Sequence, residues 1–479
     1  MGTTEILMNI LSYGASMGEV AVYSIRDNIK FAVEELNAKP NKLYDAEFGN
    51  PTELLSPTNN GFVITGTEAI NKDISKMNMA CIGQTGCGKT SINIIPYLLS
   101  ITNGSAVVHC PSGQCPDATG NDFVERGFRV YIFDPNNHEG SVMINPLDFI
   151  SDINQINKLS NHLVKSSLGD RSSEKFWELA SVGALNVFIS LLLLQPKQFR
   201  NITNLKYMID CFLGNPKMIH ILAARAPEEL YSQYRALIAG SEKTLKSVMM
   251  SVSACLSLWG DENIKKITSS TNVDFSAFRK SKSILFLKND TLQAQYMKPL
   301  LSLIIEQMFQ IFMKELPKPG ELDIAVCIDE CATLRLDSLS QIISNNRKYN
   351  ICILVVFQNI SQVYNNFGKD DGSTILANCH NKIYYGGMDM RTDQDLCELL
   401  GKRTVQDGNG NEVVANLMNA SNIRMLKPNE ILFICGAHRP YRLQVKPFYL
   451  VPKLRKRTQK RFKYKNPNPV VTVQLLPLK

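Results

Sequence analysis

The decapeptide Cys81-Ile82-Gly83-Gln84-Thr85-Gly86-Cys87-Gly88-Lys89-Thr90 sets glycines, a lysine and a hydroxyl in the order G-x-x-x-x-G-K-T. That spacing has a mechanism. Backbone N–H groups of Gly83, Thr85, Gly86, Cys87 and Gly88 cradle phosphate oxygens, Lys89 reaches the β- and γ-phosphates, and the Thr90 hydroxyl ligates Mg2+, with Ser91 opening the helix behind. Far downstream the apolar run 324–328 ends in Asp329-Glu330. At a strand's carboxyl end, Asp329 holds Mg2+ through its water shell, while Glu330 orients and polarises the attacking water. Gln358 follows the apolar run 351–357 and has two readings. It is an amide that bonds both γ-phosphate and water, or a plain polar residue at a strand end. Arg347, eighteen positions after Asp329, also has two. It is an arginine finger for a neighbouring subunit's nucleotide, an effect of roughly 10³ to 10⁵ in rate, or a surface arginine between Asn346 and Lys348. Together these residues predict an ATPase whose cofactors are ATP and Mg2+.

Such groups need a rigid frame, and the patterning supplies one. Residues 78–82 read as a buried strand, 83–88 as a turn and 91–99 as a helix, the order a phosphate loop requires. Strands are expected at 105–109 and 128–133, each preceded by a helix-compatible segment, so a parallel sheet with helices on both faces follows. The strand signal then stops. Over 151–271 helix punctuation takes its place: Pro227 before Glu228 and Glu229, and Leu245, Val248, Met249, Val252, Leu256 and Trp259 at helical spacing between Ser241 and Gly260. Strands resume at 283–287, 324–328, 351–357, 382–385 and 431–435, around a periodic helix through Leu301, Ile305, Met308 and Phe312. The predicted organisation is an N-terminal helical arm (1–44), a nucleotide-binding α/β domain in two parts (45–150 and 272–450), an all-helical insertion (151–271) and a basic tail (451–479).

The 479 residues are 44% hydrophobic and 20% charged, the balance of a globular chain. The most apolar run, 184–194, is broken by Asn186 and Ser190, which argues against a membrane span. Twelve cysteines contain no C-x-x-C pair, and neither Cys110 with Cys115 nor Cys327 with Cys331 has a second half at zinc-site spacing. Free thiols in a reducing compartment are expected. The net charge of +8 equals the eight basic residues among Lys453, Arg455, Lys456, Arg457, Lys460, Arg461, Lys463 and Lys465. A run of this kind reads as a solvated arm or a patch for nucleic acid, with Phe462 and Tyr464 available to stack on bases.

In order along the chain stand Asp45-Ala46-Glu47, Glu53-Leu54-Leu55, the phosphate loop, Phe133-Asp134-Pro135, Asn145-Pro146-Leu147 and Ser241-Glu242-Lys243-Thr244. Asp329-Glu330-Cys331-Ala332, Arg347, Gln358, Gly386-Gly387 and Leu400-Gly401 complete the series. Over 45–449 it resembles the type IV secretion coupling proteins, the TraG-like ATPases of conjugation. The resemblance implies a RecA-like P-loop fold with a mainly parallel sheet, a homo-hexameric ring around single- or double-stranded DNA, and Arg347 acting in trans. It further implies a helical insertion that receives a relaxase–DNA substrate, and docking to secretion-channel components. An FtsK- or HerA-type translocase, and a nucleotide-binding adaptor with little turnover, are the alternatives. The sequence departs from the family twice. A leading pair of transmembrane helices is not evident, which implies a cytoplasmic protein held peripherally at the membrane. The family's acidic-Pro-x-Gly-acidic stretch reads Cys110-Pro111-Ser112-Gly113-Gln114, without either carboxylate.

Overall fold

Residues Ile351–Phe357 read Ile-Cys-Ile-Leu-Val-Val-Phe and are buried along their whole length. A β-branched run with no polar face is stable only inside a parallel sheet covered on both sides. The computed structural model, which describes residues 45–168, 175–460, 462, 464 and 472–478, builds that sheet. The expected arm at 1–44 and the basic residues Arg461, Lys463 and Lys465 lie outside the described residues.

The strands are β1 (Met79–Ile82), β2 (Ser105–His109), β3 (Arg129–Phe133), β4 (Ser283–Leu287), β5 (Ile324–Ile328), β6 (Ile351–Phe357), β7 (Asn381–Tyr385), β8 (Lys402–Gln406), β9 (Glu412–Asn416), β10 (Glu430–Cys435) and β11 (Tyr441–Gln444). Among the described residues, nine form one sheet in the order β11-β10-β7-β1-β6-β5-β2-β4-β3. All pairings from β7 through β3 are parallel, and β10 and β11 add an antiparallel edge. The register sets Ile82 beside Phe357 and Ile328 beside Val355, so the carboxyl ends of β1, β6 and β5 finish together. Separately, among the described residues, 45–47 and 398–417 make a second compact unit built on the β8–β9 hairpin. Its tip is fixed by Asp407, whose carboxylate accepts the N–H groups of Asn409 and Asn411 at 2.9 and 2.8 Å.

Helices cover the sheet and fill the link between the neighbouring strands β3 and β4. Before the link stand, among others, α1 (Ile95–Ser100) and α2 (Gln114–Glu125); the link holds α3 (Ile153–Leu168), α4 (Lys175–Leu193), α5 (Ile202–Gly214), α6 (Lys217–Ala224), α7 (Glu228–Ile238), α8 (Glu242–Cys255) and α9 (Glu262–Ile267). Ser241 caps α8 by accepting the Thr244 N–H, and Val248, Met249 and Val252 are buried along one stripe. The run 184–194 proves to be the end of a longer helix. At 19 residues α4 is long and apolar enough to cross a membrane by length and composition alone. Its Leu185, Phe188 and Leu192 are fully buried and it packs on α3, α5, α7 and α8, the setting of a core helix. This helical insert rests on α10 (Ala294–Phe312), where the buried His162 of α3 donates from Nε2 to the Pro299 carbonyl at 2.9 Å.

At the amino edge of the sheet two buried asparagines lock together. Asn346 Nδ2 donates to Asn78 Oδ1 at 2.7 Å and to the Ile351 carbonyl at 2.6 Å, and Asn78 Nδ2 returns bonds to Asn346 Oδ1 and the Ile343 carbonyl. Truncating one member leaves the other buried and unpaired. Asn346→Ala is therefore expected to lower the unfolding free energy by about 2 kcal/mol, read as a shifted urea midpoint.

The basic tail differs from its sequence reading. Arg457 forks onto Asp122 of α2 at 2.6 and 2.7 Å, and Lys460 pairs with Glu125 at 2.7 Å. Phe462 lies over Gly120, where an added Cβ would come within 2.3 Å of its ring. Burial pushes the Tyr464 phenol up to about 12. Carboxylates and a glycine slot on α2 thus convert the expected solvated arm into a strap. Neither aromatic is free for bases, and Lys453, Arg455, Lys456 and the ion-paired Lys460 are the exposed cations in the described part of the run.

Candidate nucleotide site

Three adjacent strand ends make the site. From β1 the chain turns through the phosphate loop, whose Gly83 N–H is tied to the Phe357 carbonyl of β6 at 3.1 Å. Glycine is required here. A Cβ on Gly83 would stand 2.8 Å from both Cys87 Sγ and Tyr385 Cβ, and Gly88, at φ +101, would meet Ile92 at 2.7 Å. Gln84, Thr85 and Gly86 are exposed at the mouth. The Lys89 side chain is buried and its ammonium donates to the carbonyls of Gly83 and Gln84, the latter at 2.8 Å, with Cys87 Sγ 3.8 Å away. Ser91 spends its hydroxyl on the Gly88 carbonyl at 3.1 Å.

The helix behind the loop is not the plain helix expected from 91–99. Thr90–Ile94 forms a wider π-turn before α1, in which the Ile95 N–H reaches the Thr90 carbonyl. Pro96 follows immediately and has no N–H for the regular i to i−4 ladder. The turn is anchored by Asn93, fully buried, which donates to the Val63 and Ile64 carbonyls at 3.1 and 3.0 Å and accepts from the Tyr385 hydroxyl at 2.5 Å.

Across the cleft β5 delivers the acids. Thr90 Oγ1 donates to Asp329 Oδ2 at 2.7 Å, so hydroxyl and carboxylate converge on one point although 239 positions apart. Burial raises the Asp329 carboxyl, and the Thr90 hydroxyl pulls the other way. Two hard oxygen donors meeting beside a phosphate loop are the donor set Mg2+ takes. Glu330 adopts φ +59 and ψ 56, a left-handed conformation that costs a side chain about 1–2 kcal/mol. Thr333 holds it there, donating from its N–H and hydroxyl to the Glu330 carbonyl at 3.0 and 2.8 Å. Strain of this kind, kept in place by neighbours, is characteristic of working residues.

Behind Asp329 stands His109 at the end of β2. Its Nδ1–H donates to the Asp329 carbonyl at 2.9 Å, while the Asp329 N–H returns to the His109 carbonyl at 3.0 Å. Burial lowers the imidazole from 6.5 to about 4. Between those values the unfolded chain takes up a proton that the folded chain refuses, so stability is present above pH 6.5 and is lost as pH falls toward 4. The expected loss is roughly 2–3 kcal/mol by pH 4.5, and in urea titrations it disappears from His109→Asn.

The resulting cleft, about 360 Å³, is lined by Thr85, Gly86 and Gly88 through Ser91, with Asp329, Glu330 and Gln358. Gln358 is half-buried beside Phe357, with its backbone N–H bonded to Gln362 Oε1 at 2.9 Å. Arg347 stands apart from the others. It is exposed on the turn Asn346–Tyr349 before β6 begins, whereas the cleft lies past the end of β6. Seven strand residues place it about 23 Å away, at the opposite edge of the sheet.

Four residues on the cleft or behind it escaped the sequence reading as site groups: Ser112, Gln114, His109 and Tyr449. The turn that carries Ser112 and Gln114 is braced by an ion pair between Lys288 and Asp134 at 2.7 Å, with Lys288 Cε packed under Gly113. Cys110, where the resembled family has an acid, is buried, and its sulfur accepts the Cys115 N–H at 3.4 Å. Tyr449 is 52% exposed on the turn Phe448–Leu450, which packs against Thr90–Ile94. A family motif without the carboxylates would have pointed to the first two; no local pattern marks Tyr449.

The family described as type IV secretory system conjugative DNA transfer matches residues 33–434. Protein VirD4 of Rhizobium radiobacter is 21% identical over 337 residues, which is 67% of this chain and 48% of VirD4. The chain spans about half the length of the curated relatives it matches. Among solved structures, the plasmid coupling protein TrwB in complex with the ATP analogue ADPNP superposes with a TM-score of 0.68 at 16% identity, covering 91% of this chain and 99% of that one. TrwB in complex with ADP and Mg2+ gives 0.67 at 16% identity, covering 85% and 95%. These two establish the fold as the α/β nucleotide-binding fold of TrwB. With the family pattern running through more than four-fifths of its residues, the chain belongs to the conjugative DNA-transfer proteins of type IV secretion.

Proposed function

We propose that this protein is an ATP-driven coupling protein of a conjugative type IV secretion system, and that its cleft binds and hydrolyses MgATP. The Thr90–Asp329 hydrogen bond carries the reading, because it joins the phosphate loop to the acidic strand end over one cleft. The names of the relatives agree with it: VirD4, and TrwB in complexes with ADPNP and with ADP and Mg2+. Bound Mg2+ would be held by Thr90 and Asp329 and would supply positive charge to the β- and γ-phosphates. Lys89 exchanges its carbonyl partners for phosphate oxygens. Glu330 orients a water in line with the γ-phosphate and accepts its proton, and Gln358 bonds the same water or the γ-phosphate.

Tyr449 offers its ring to the base. Phe448 props it edge-on at 5.5 Å and 78°. Stacking on an aromatic contributes about 1–3 kcal/mol per base, so Tyr449→Ala should weaken ATP binding about tenfold or more and leave Mg-tripolyphosphate, which has no base, unaffected. Equilibrium dialysis of both ligands checks this.

In the proposed assembly, Arg347 completes the site of the next subunit in a homo-hexameric ring around DNA. The helical insert takes up a relaxase or other secreted protein, and the ring hands it to the secretion channel at the inner face of the membrane. The test is displacement of streptavidin from end-biotinylated DNA, single- and double-stranded, on addition of ATP. Displacement that needs hydrolysis is expected. Rapid hydrolysis with streptavidin left in place would refute DNA translocation.

A further inference from the structure

Asn204 stands fully buried in the first turn of α5, and its side-chain amide is used on chain 270 positions away. Nδ2–H donates to the Gln474 carbonyl at 3.0 Å, and Oδ1 accepts the Leu476 N–H at 2.8 Å. A carbonyl and the N–H two residues later point to the same side of an extended chain, and a neighbouring strand bonds such a pair in a parallel ladder. Asn204 copies one rung of that ladder. It reads backbone, which leaves specificity to the side chains. These alternate as an extended chain requires: Leu476 and Leu478 are 5% and 7% exposed, while Leu475 before them is 52% exposed and Pro477 between them is also exposed.

We propose that this edge of the helical insert is a receptor groove for an extended peptide with leucines two residues apart, and that residues 472–478 are its resident occupant. The same terminal stretch is clamped upstream on α2, through Arg457 on Asp122, Lys460 on Glu125 and Phe462 over Gly120. The occupant is therefore tethered to the sheet body and seated on the insert, and it ties the two parts of one unit together. Tethering gives the tail a local concentration in the millimolar range. A free peptide of the same pattern is excluded from the intact chain and enters once the tail is prevented from seating. Peptide recognition by strand-like backbone pairing plus alternate side-chain pockets is a known mode of protein binding, here built from one asparagine and two apolar sites.

The test uses the full chain and a fluorescein-labelled peptide of sequence Thr-Val-Gln-Leu-Leu-Pro-Leu-Lys, titrated by anisotropy. The variant carrying Leu476→Asp and Leu478→Asp is expected to bind it at least tenfold more tightly than wild type. Adding Asn204→Ala to that variant should remove at least tenfold of the gain. Equal binding to wild type and the leucine variant, or indifference to Asn204→Ala, overturns the proposal. A second measurement needs no leucine substitution: amide exchange at Leu476 in the wild-type chain. Protection at least tenfold above the unprotected rate, lost in Asn204→Ala, supports a seated tail; exchange at the unprotected rate in wild type overturns it.

Discussion

Glu330→Gln is expected to bind MgATP as tightly as wild type and to hydrolyse it at least a hundredfold more slowly. Loss of a positioned general base removes about 10² to 10⁴ in rate. The amide keeps the size and much of the bonding of the carboxylate, so the left-handed turn braced by Thr333 should survive. Lys89→Ala supplies the contrast. It removes the cation at the phosphates, so binding and turnover should fall together. Single-turnover hydrolysis with a parallel binding titration separates the two. Glu330→Gln hydrolysing normally would remove Glu330 from the chemistry, whatever became of Lys89.

Arg347→Ala is the second large effect. Arg347 sits on a turn separated from its own cleft by the full length of β6, about 23 Å of strand, more than its side chain can span to reach its own chain's nucleotide. If it acts on a nucleotide, that nucleotide belongs to a neighbour, and removal of a trans-acting arginine costs roughly 10³ to 10⁵ in rate. The turn that carries it is held by the Asn78–Asn346 amide pair, so the substitution should leave the fold unchanged. Complementation gives the decisive form of the experiment. Arg347→Ala and Lys89→Ala are each expected to be inactive alone, and mixing them should restore part of the turnover at interfaces that pair an intact Arg347 with an intact Lys89. A mixture as inactive as its components would make Arg347 a surface residue.

The phosphate loop and Asp329-Glu330 were legible because a short contiguous pattern carries their chemistry, and β5 and β6 because they are unbroken apolar runs. His109 and Tyr449 were not, since each reaches the site through topology: β2 comes to lie beside β5, and the turn at 448–450 comes to lie on the loop helix. The β8–β9 hairpin was missed although Asp407-Gly408-Asn409-Gly410 is a strong turn signal, because its strands are short and exposed and carry no core face. For the tail, composition misled. Eight cations in a row look like a free arm until Asp122 and Glu125 are found opposite two of them.

In the proposed assembly this cleft hydrolyses ATP as one site in a DNA-responsive ring. The rate of ATP hydrolysis per protomer, measured against protein concentration with and without single-stranded DNA, tests it most directly. A rate that climbs steeply with concentration, rises further with DNA and vanishes in Glu330→Gln is the predicted result. A slow rate that is constant per protomer, indifferent to DNA and unchanged in Glu330→Gln would contradict it.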